Sequence, residues 1–195
     1  DIHWKLSARL GDWMVRQYEK AGEKSVRLIL DLPELYFETI NEESERLLSM
    51  RDVMLDTAYT ATENLVSQEV SVTLKTYTPF VLEQQVEHVS EIELIRRQLA
   101  MINFQKVVSL DEMLHNEMQN YTHQVIYLLT CNIDDDTIAL LRVLRNRVQG
   151  LHVEWFVDRT TDPEMLSHYV KTMDMADIDA RVVDVDRVAG YEVRS

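Results

Sequence analysis

Carboxylates are the chemistry-bearing residues whose positions the sequence fixes best. Asp31 interrupts an apolar run made by Val26, Leu28, Ile29, Leu30 and Leu32, and Pro33 follows. A strand that is apolar at nearly every position is one buried on both faces, as at the centre of a parallel sheet. Pro33 cannot donate to a ladder and ends it. In open α/β sheets ligands gather at the carboxyl ends of strands, and Asp31 stands at such an end. A second apolar run over 124–130 leads to three consecutive carboxylates, Asp134, Asp135 and Asp136. Each feature has two readings. Asp31 is a cation ligand or partner contact, or a strand-end Asp accepting N–H bonds in a turn. The Asp triplet is an acidic cation patch beside Asp31, or a helix start where carboxylates meet unsatisfied N–H groups and the positive dipole end.

The remaining reactive side chains exclude more than they suggest. Cys131 is the sole cysteine, so no intrachain disulfide forms and a reducing compartment is expected. It is a thiol activated by the nearby helix start, or a small residue in a tight loop. His3, His88, His115, His123, His152 and His168 are scattered without the spacing of a zinc site. The four glycines, Gly11, Gly22, Gly150 and Gly190, leave the turn after 26–32 without one. A dinucleotide fingerprint and a Walker-type loop are therefore missing, as is the Gly-x-Ser-x-Gly elbow of hydrolases. No enzymatic reaction is supported by these residues.

Apolar residues make up 46% of the 195 positions and charged residues 28%, enough to bury a real core. The net charge of −14 argues against nucleic acid, whose binding rests on cationic contacts to phosphate. It suits a basic partner surface. No apolar run reaches the roughly 20 residues of a membrane span, and no signal-peptide pattern opens the chain. The start at Asp1, without Met, reads as the interior of a longer protein.

The elements that must position Asp31 and the Asp triplet follow from periodicity. Residues 1–12 read as a short helical turn and 13–19 as a possible short strand, ahead of strand 26–32. Leu47, Met50, Met54, Ala58, Ala61 and Leu65 recur at helical spacing, predicting one long helix from 37 or 44 to 69. Residues 70–77 alternate and are rich in β-branched side chains, a strand. Val86, Val89, Ile92, Ile95, Leu99 and Ile102 predict a helix over 84–102. Ser109 with Glu112 three residues on is a capping-box start for a helix over 109–120. Then come strand 124–130, a helix from Asp134 to Gly150, strand 151–157, a helix opening at Pro163 with Met165, Tyr169, Val170 and Met173 inward, and strand 180–185. His152 in its strand is a packed or edge residue. The methionines Met50, Met54, Met101, Met113 and Met118 are core fillers or, less economically, a promiscuous surface. The order β-α-β-α-α-β-α-β-α-β requires parallel crossovers and predicts an α/β, doubly wound, mostly parallel sheet with helices on both faces.

Residues 2–11, Ile-His-Trp-Lys-Leu-Ser-Ala-Arg-Leu-Gly, followed by Met14, Val15 and Arg16 and a strand ending in Leu30 and Asp31, resemble the bacterial family called domain of unknown function number fifty-eight. The motif residues are His3, Trp4, Lys5, Ser7 and Arg9. They would contact an upstream domain or partner, or anchor the leading segment, with Trp4 buried on the sheet. The resemblance implies a leading segment over 1–25 and a von Willebrand factor A-like domain over 26–195, the C-terminal part of a membrane-anchored protein at the cytoplasmic face. It also implies action beside MoxR-type AAA+ ATPases as an adaptor. Von Willebrand A domains often hold a divalent cation on an Asp-x-Ser-x-Ser loop. Here Asp31 matches the leading Asp, but Pro33 and Leu35 replace the two serines, and Cys131 stands where a later Asp belongs. One carboxylate gives at most weak Mg²⁺ binding, because a hard cation wants several oxygens. The expectation is a protein-interaction module whose partner face includes Asp31, Glu34, Thr130, Asn132 and Asp134. The alternative is a cation-binding domain or enzyme using Asp31 with Asp134, Asp135 and Asp136.

Overall fold

The computed structural model describes residues 25–34, 41–77, 81–102, 108–120 and 124–188. The motif residues His3, Trp4, Lys5, Ser7 and Arg9, the expected turn over 1–12 and strand over 13–19, and Leu35 lie outside them.

Strand β1 (Ser25–Asp31) is the centre of the molecule. Its apolar run pairs in parallel on both sides, with β2 (Ser71–Thr76) through Val26↔Val72 and Leu28↔Leu74, and with β4 (Val125–Thr130) through Val26↔Val125 and Asp31↔Thr130. Strands β5 (Gly150–Val157) and β6 (Asp179–Asp184) extend the parallel array. Strand β3 (Leu82–Val86) closes the other edge antiparallel to β2. The six-stranded order is β3-β2-β1-β4-β5-β6, a doubly wound, Rossmann-like and von Willebrand A-like arrangement. The order reverses between β1 and β4, so the topological switch point opens beside Asp31 and Thr130.

Helices cover both faces. Helix α1 (Glu42–Ser67) presents Met50, Met54, Ala58, Ala61 and Leu65 to Leu28, Leu30, Val72 and Leu74. It starts where Asn41 and Ser44 cap each other: the Asn41 Oδ1 accepts from the Ser44 N–H at 2.9 Å, and the Asn41 N–H donates to Ser44 Oγ at 2.9 Å. Glu42, Glu43 and Glu45 in the first turn face the positive end of the dipole. Helix α2 (Ile92–Ala100) adds Ile95 and Leu99 to this layer. On the opposite face α3 (Leu110–Asn120), α4 (Asp135–Arg145) and α5 (Pro163–Met175) bring Met113, Leu114, Ile138, Leu141 and Tyr169 onto Ile29, Ile126, Leu128 and Trp155. The short α6 (Val185–Val188) follows β6.

Three expectations are corrected. The helix predicted over 84–102 is instead edge strand β3, one 3-10 turn over Val89–Glu91, and α2. Val86 is buried as a strand residue, whereas Val89 lies exposed in the turn. Helix α4 stops at Arg145, with Asn146 as its C-cap, and Gly150 begins β5 rather than ending the helix. Val148 keeps helical spacing but is buried from the connecting turn. Met165 points outward, and Leu166 packs against the core in its place. Among the methionines, Met50, Met54, Met113 and Met118 fill core and Met101 is exposed. Among the described residues no helix is long and apolar enough to cross a membrane.

Candidate functional site

The switch point gathers three of the residues singled out by sequence. Asp31 and Thr130 are register partners at the ends of β1 and β4, and both are fully buried. The Thr130 hydroxyl donates to Asp31 Oδ2 at 2.6 Å, and the Asn132 side-chain amide donates to the same oxygen at 2.9 Å. The Asn132 N–H in turn donates to Thr130 Oγ1 at 3.0 Å. Charge-assisted bonds of this length are the strong kind. They lock the β4–α4 turn onto the end of β1.

This arrangement fits a divalent cation poorly. Two donors occupy Asp31 Oδ2, and Pro33 is a buried residue without a side-chain oxygen. Among the described residues no three His, Cys, Asp or Glu side chains come together to hold a metal ion. The Asp triplet divides its work elsewhere. Asp134 is the N-cap of α4 and accepts from the Thr137 N–H at 2.7 Å. That backbone bond and the Thr137 hydroxyl hold its carboxyl below the usual range. Asp135 and Asp136 sit exposed in the first turn of α4. Cys131 is half-buried in the same turn.

Above the Asp31 frame lies a cleft of about 470 Å³, lined by Glu34, Asn132, Asp134 and Thr137 and, across it, Ser109, Asp111 and Glu112 at the start of α3. Four carboxylates and no cation are among its lining residues within the described part of the chain. Glu34, Asn132 and Asp134 were singled out by sequence. Asp111 and Glu112 were not, although the capping-box pattern at Ser109 had marked their helix start. The cap itself forms, with the Glu112 N–H donating to Ser109 Oγ at 3.2 Å.

Two buried polar clusters escaped the sequence. Under α3, Glu117 forms an ion pair with Arg27 at 2.6 Å and accepts from Lys75 Nζ at 2.6 Å and from the Tyr77 hydroxyl at 3.2 Å. Burial and the Glu117 charge push the Tyr77 phenol far above its ordinary value. Arg27 also holds Glu83 of β3 through two nitrogens, at 3.1 and 2.6 Å. On the opposite face, Tyr127 of β4 stacks on His152 of β5 with ring centroids 4.6 Å apart. Glu154 beside them is fully buried and meets Arg181 of β6 at 3.4 Å. No protein-family model matches the chain, and no curated protein matches it.

Proposed function

We propose that the domain is a protein-docking module which meets a basic partner at the carboxyl end of its sheet. The cleft at the switch point carries this reading. Among the described residues Glu34, Asp111, Glu112 and Asp134 line it, and clustered charge of one sign in a cleft focuses the field and speeds encounter with the opposite sign. The hydrogen-bonded Asp31, Thr130 and Asn132 form a rigid base beneath the docking loops. On the resemblance of residues 2–11, the partner is a MoxR-type AAA+ ATPase in a chaperone-like or envelope-related assembly at the cytoplasmic face of a bacterial membrane.

Direct binding to the MoxR-type ATPase from the same source, with ATP and with ADP, tests it. Glu34→Lys combined with Glu112→Lys is expected to weaken binding roughly tenfold at low salt. Raising the salt, which shortens the Debye length from about 10 Å at 0.1 M to about 3 Å at 1 M, should do the same to the wild type. Asp31→Ala should loosen the base and lower affinity in both nucleotide states. Binding that ignores all three changes would move the interface away from this cleft, and no binding would remove the ATPase as partner.

The alternative reading, a divalent cation held by Asp31 with Asp134, Asp135 and Asp136, is decided by melting. A ligand at a hundred times its dissociation constant stabilises by about 2.7 kcal/mol. The expected result is an unchanged melting temperature with millimolar Mg²⁺ or Mn²⁺. A rise of several degrees would favour the cation.

A further inference from the structure

A second cleft opens at the same end of the sheet, beyond β5 and β6, and the docking reading does not use it. Its volume is about 600 Å³, within the range of pockets that accept a small ligand or a partner's side chains. Its floor is apolar: Val157 at the end of β5 and Val185 at the start of α6, with Pro163 and Leu166 from the first turn of α5. The walls are tied together. Arg46 of α1 meets Asp158 after β5 at 3.6 Å, and the Arg159 N–H donates to Asp186 of α6 at 2.8 Å. The Asp158 carboxylate also accepts from the Thr160 N–H at 2.8 Å and the Thr160 hydroxyl at 2.6 Å. Walls fixed in advance lower the ordering cost of binding.

The charges around this floor are divided in space. Arg46 and Arg187 are engaged with Asp158 and Asp184. Asp186 is engaged by the Arg159 backbone. Three charged lining side chains make no ion pair among the described residues: Glu42 and Glu45 on the α1 wall, and Arg159 on the loop wall. All three are exposed. The cleft thus offers two carboxylates on one side, an apolar floor, and a guanidinium on the other.

We propose that this cleft docks an extended segment of a partner protein that carries an apolar anchor residue between a basic and an acidic residue. The anchor would cover Leu166 and Val185, the basic side chain would face Glu42 and Glu45, and the acidic one would face Arg159. A free anion is the wrong occupant, because the lining carboxylates outnumber the arginines and Pro163 supplies no N–H at the start of α5. The proposal extends the docking reading to a second point on the same end of the sheet, and its test needs no ATPase, so either can fail while the other stands.

The probes are two blocked peptides, acetyl-Lys-Ala-Leu-Ala-Glu-amide and the same peptide with serine for leucine, titrated to millimolar concentration into the full chain. Methyl NMR signals of Val157, Leu166 and Val185 are the readout. The leucine peptide is expected to shift them saturably and the serine peptide to bind roughly tenfold more weakly or not at all. Glu45→Lys and Arg159→Glu, both at exposed positions that leave the core intact, should each weaken the leucine peptide several-fold, and their combination further. Unmoved methyls, equal shifts with both peptides, or indifference to both charge reversals would overturn the proposal. Shifts confined to Leu110 and Ile138, beside the switch-point cleft, would overturn it too while leaving the docking reading in place.

Discussion

Replacing Glu117 by Ala is expected to destabilise the domain by about 3–5 kcal/mol, the usual loss when one partner of a buried ion pair is removed. Glu117 is fully buried, and its two oxygens serve Arg27 and Lys75, whose side chains are 3% and 9% exposed. Truncation takes this carboxylate away from two buried cations, and the other carboxylate on Arg27, Glu83, is 43% exposed. Glu83→Ala should cost far less, about 1 kcal/mol or under, because solvent screens that pair. Urea unfolding measures both, through a fall in midpoint at unchanged slope. Replacing the group together, Arg27→Met, Lys75→Met and Glu117→Leu, should recover much of the loss, since an apolar set of similar volume often matches a buried ion cluster. A Glu117→Ala loss below about 1 kcal/mol would show that water reaches the cluster. The effect extends to the proposed function. Glu117 sits on the helix whose first residues, Asp111 and Glu112, wall the acidic cleft, so the Ala variant should also lose partner affinity where it remains folded.

The sequence was legible where burial is simple. Strand β1 is apolar because helices cover both its faces, and Met50, Met54, Ala58, Ala61 and Leu65 keep period because one side of α1 meets one side of the sheet. Strand β3 was not legible. Among the described residues it pairs only with β2, and its Glu83, Gln84 and Gln85 have low strand propensity, so Val86 reads as part of the following helical period. The site was legible to the extent that strand ends are: Asp31 and Thr130 meet because β1 and β4 are adjacent and in register. Which helix start lies across from them depends on how α3 packs, and no spacing in the chain encodes that. The charge clusters were hidden for the same reason, with Arg27 and Glu117 ninety positions apart. One signal was present. Arg27, Lys75, His152 and Glu154 each stand inside a β-run, and a charge inside a buried strand demands a partner.

That signal leads to the second large effect, a loss of stability as pH rises through neutrality. His152, Tyr127 and Asp179 lie in one register row across β5, β4 and β6, with Glu154 and Arg181 paired in a second row of β5 and β6. The imidazole Nδ1 is 3.7 Å from Asp179 Oδ2 and Nε2 is 4.0 Å from Glu154 Oε1, with the side chain 5% exposed. Burial alone would pull the imidazole below its ordinary value, but the carboxylates of Asp179 and Glu154 beside it outweigh that and raise it. The charged groups facing it are these two carboxylates and Arg181, which competes for Glu154. Tyr127 stays neutral, because burial and Glu154 push its phenol well up. A folded value above the unfolded one, about 6.5, means that the native state holds the proton more tightly. The stabilisation is then complete below the unfolded value and disappears as pH rises through the folded one. Urea midpoints should therefore fall from pH 6 to pH 8 in the wild type and change less in His152→Gln. Glu154→Gln should cost about 1–3 kcal/mol at pH 6, since it removes the negative charge that Arg181 and the imidazolium meet in a buried place, and it should flatten the pH dependence. A wild-type midpoint that rises toward pH 8 would mean that desolvation wins over the two carboxylates and that His152 is held neutral.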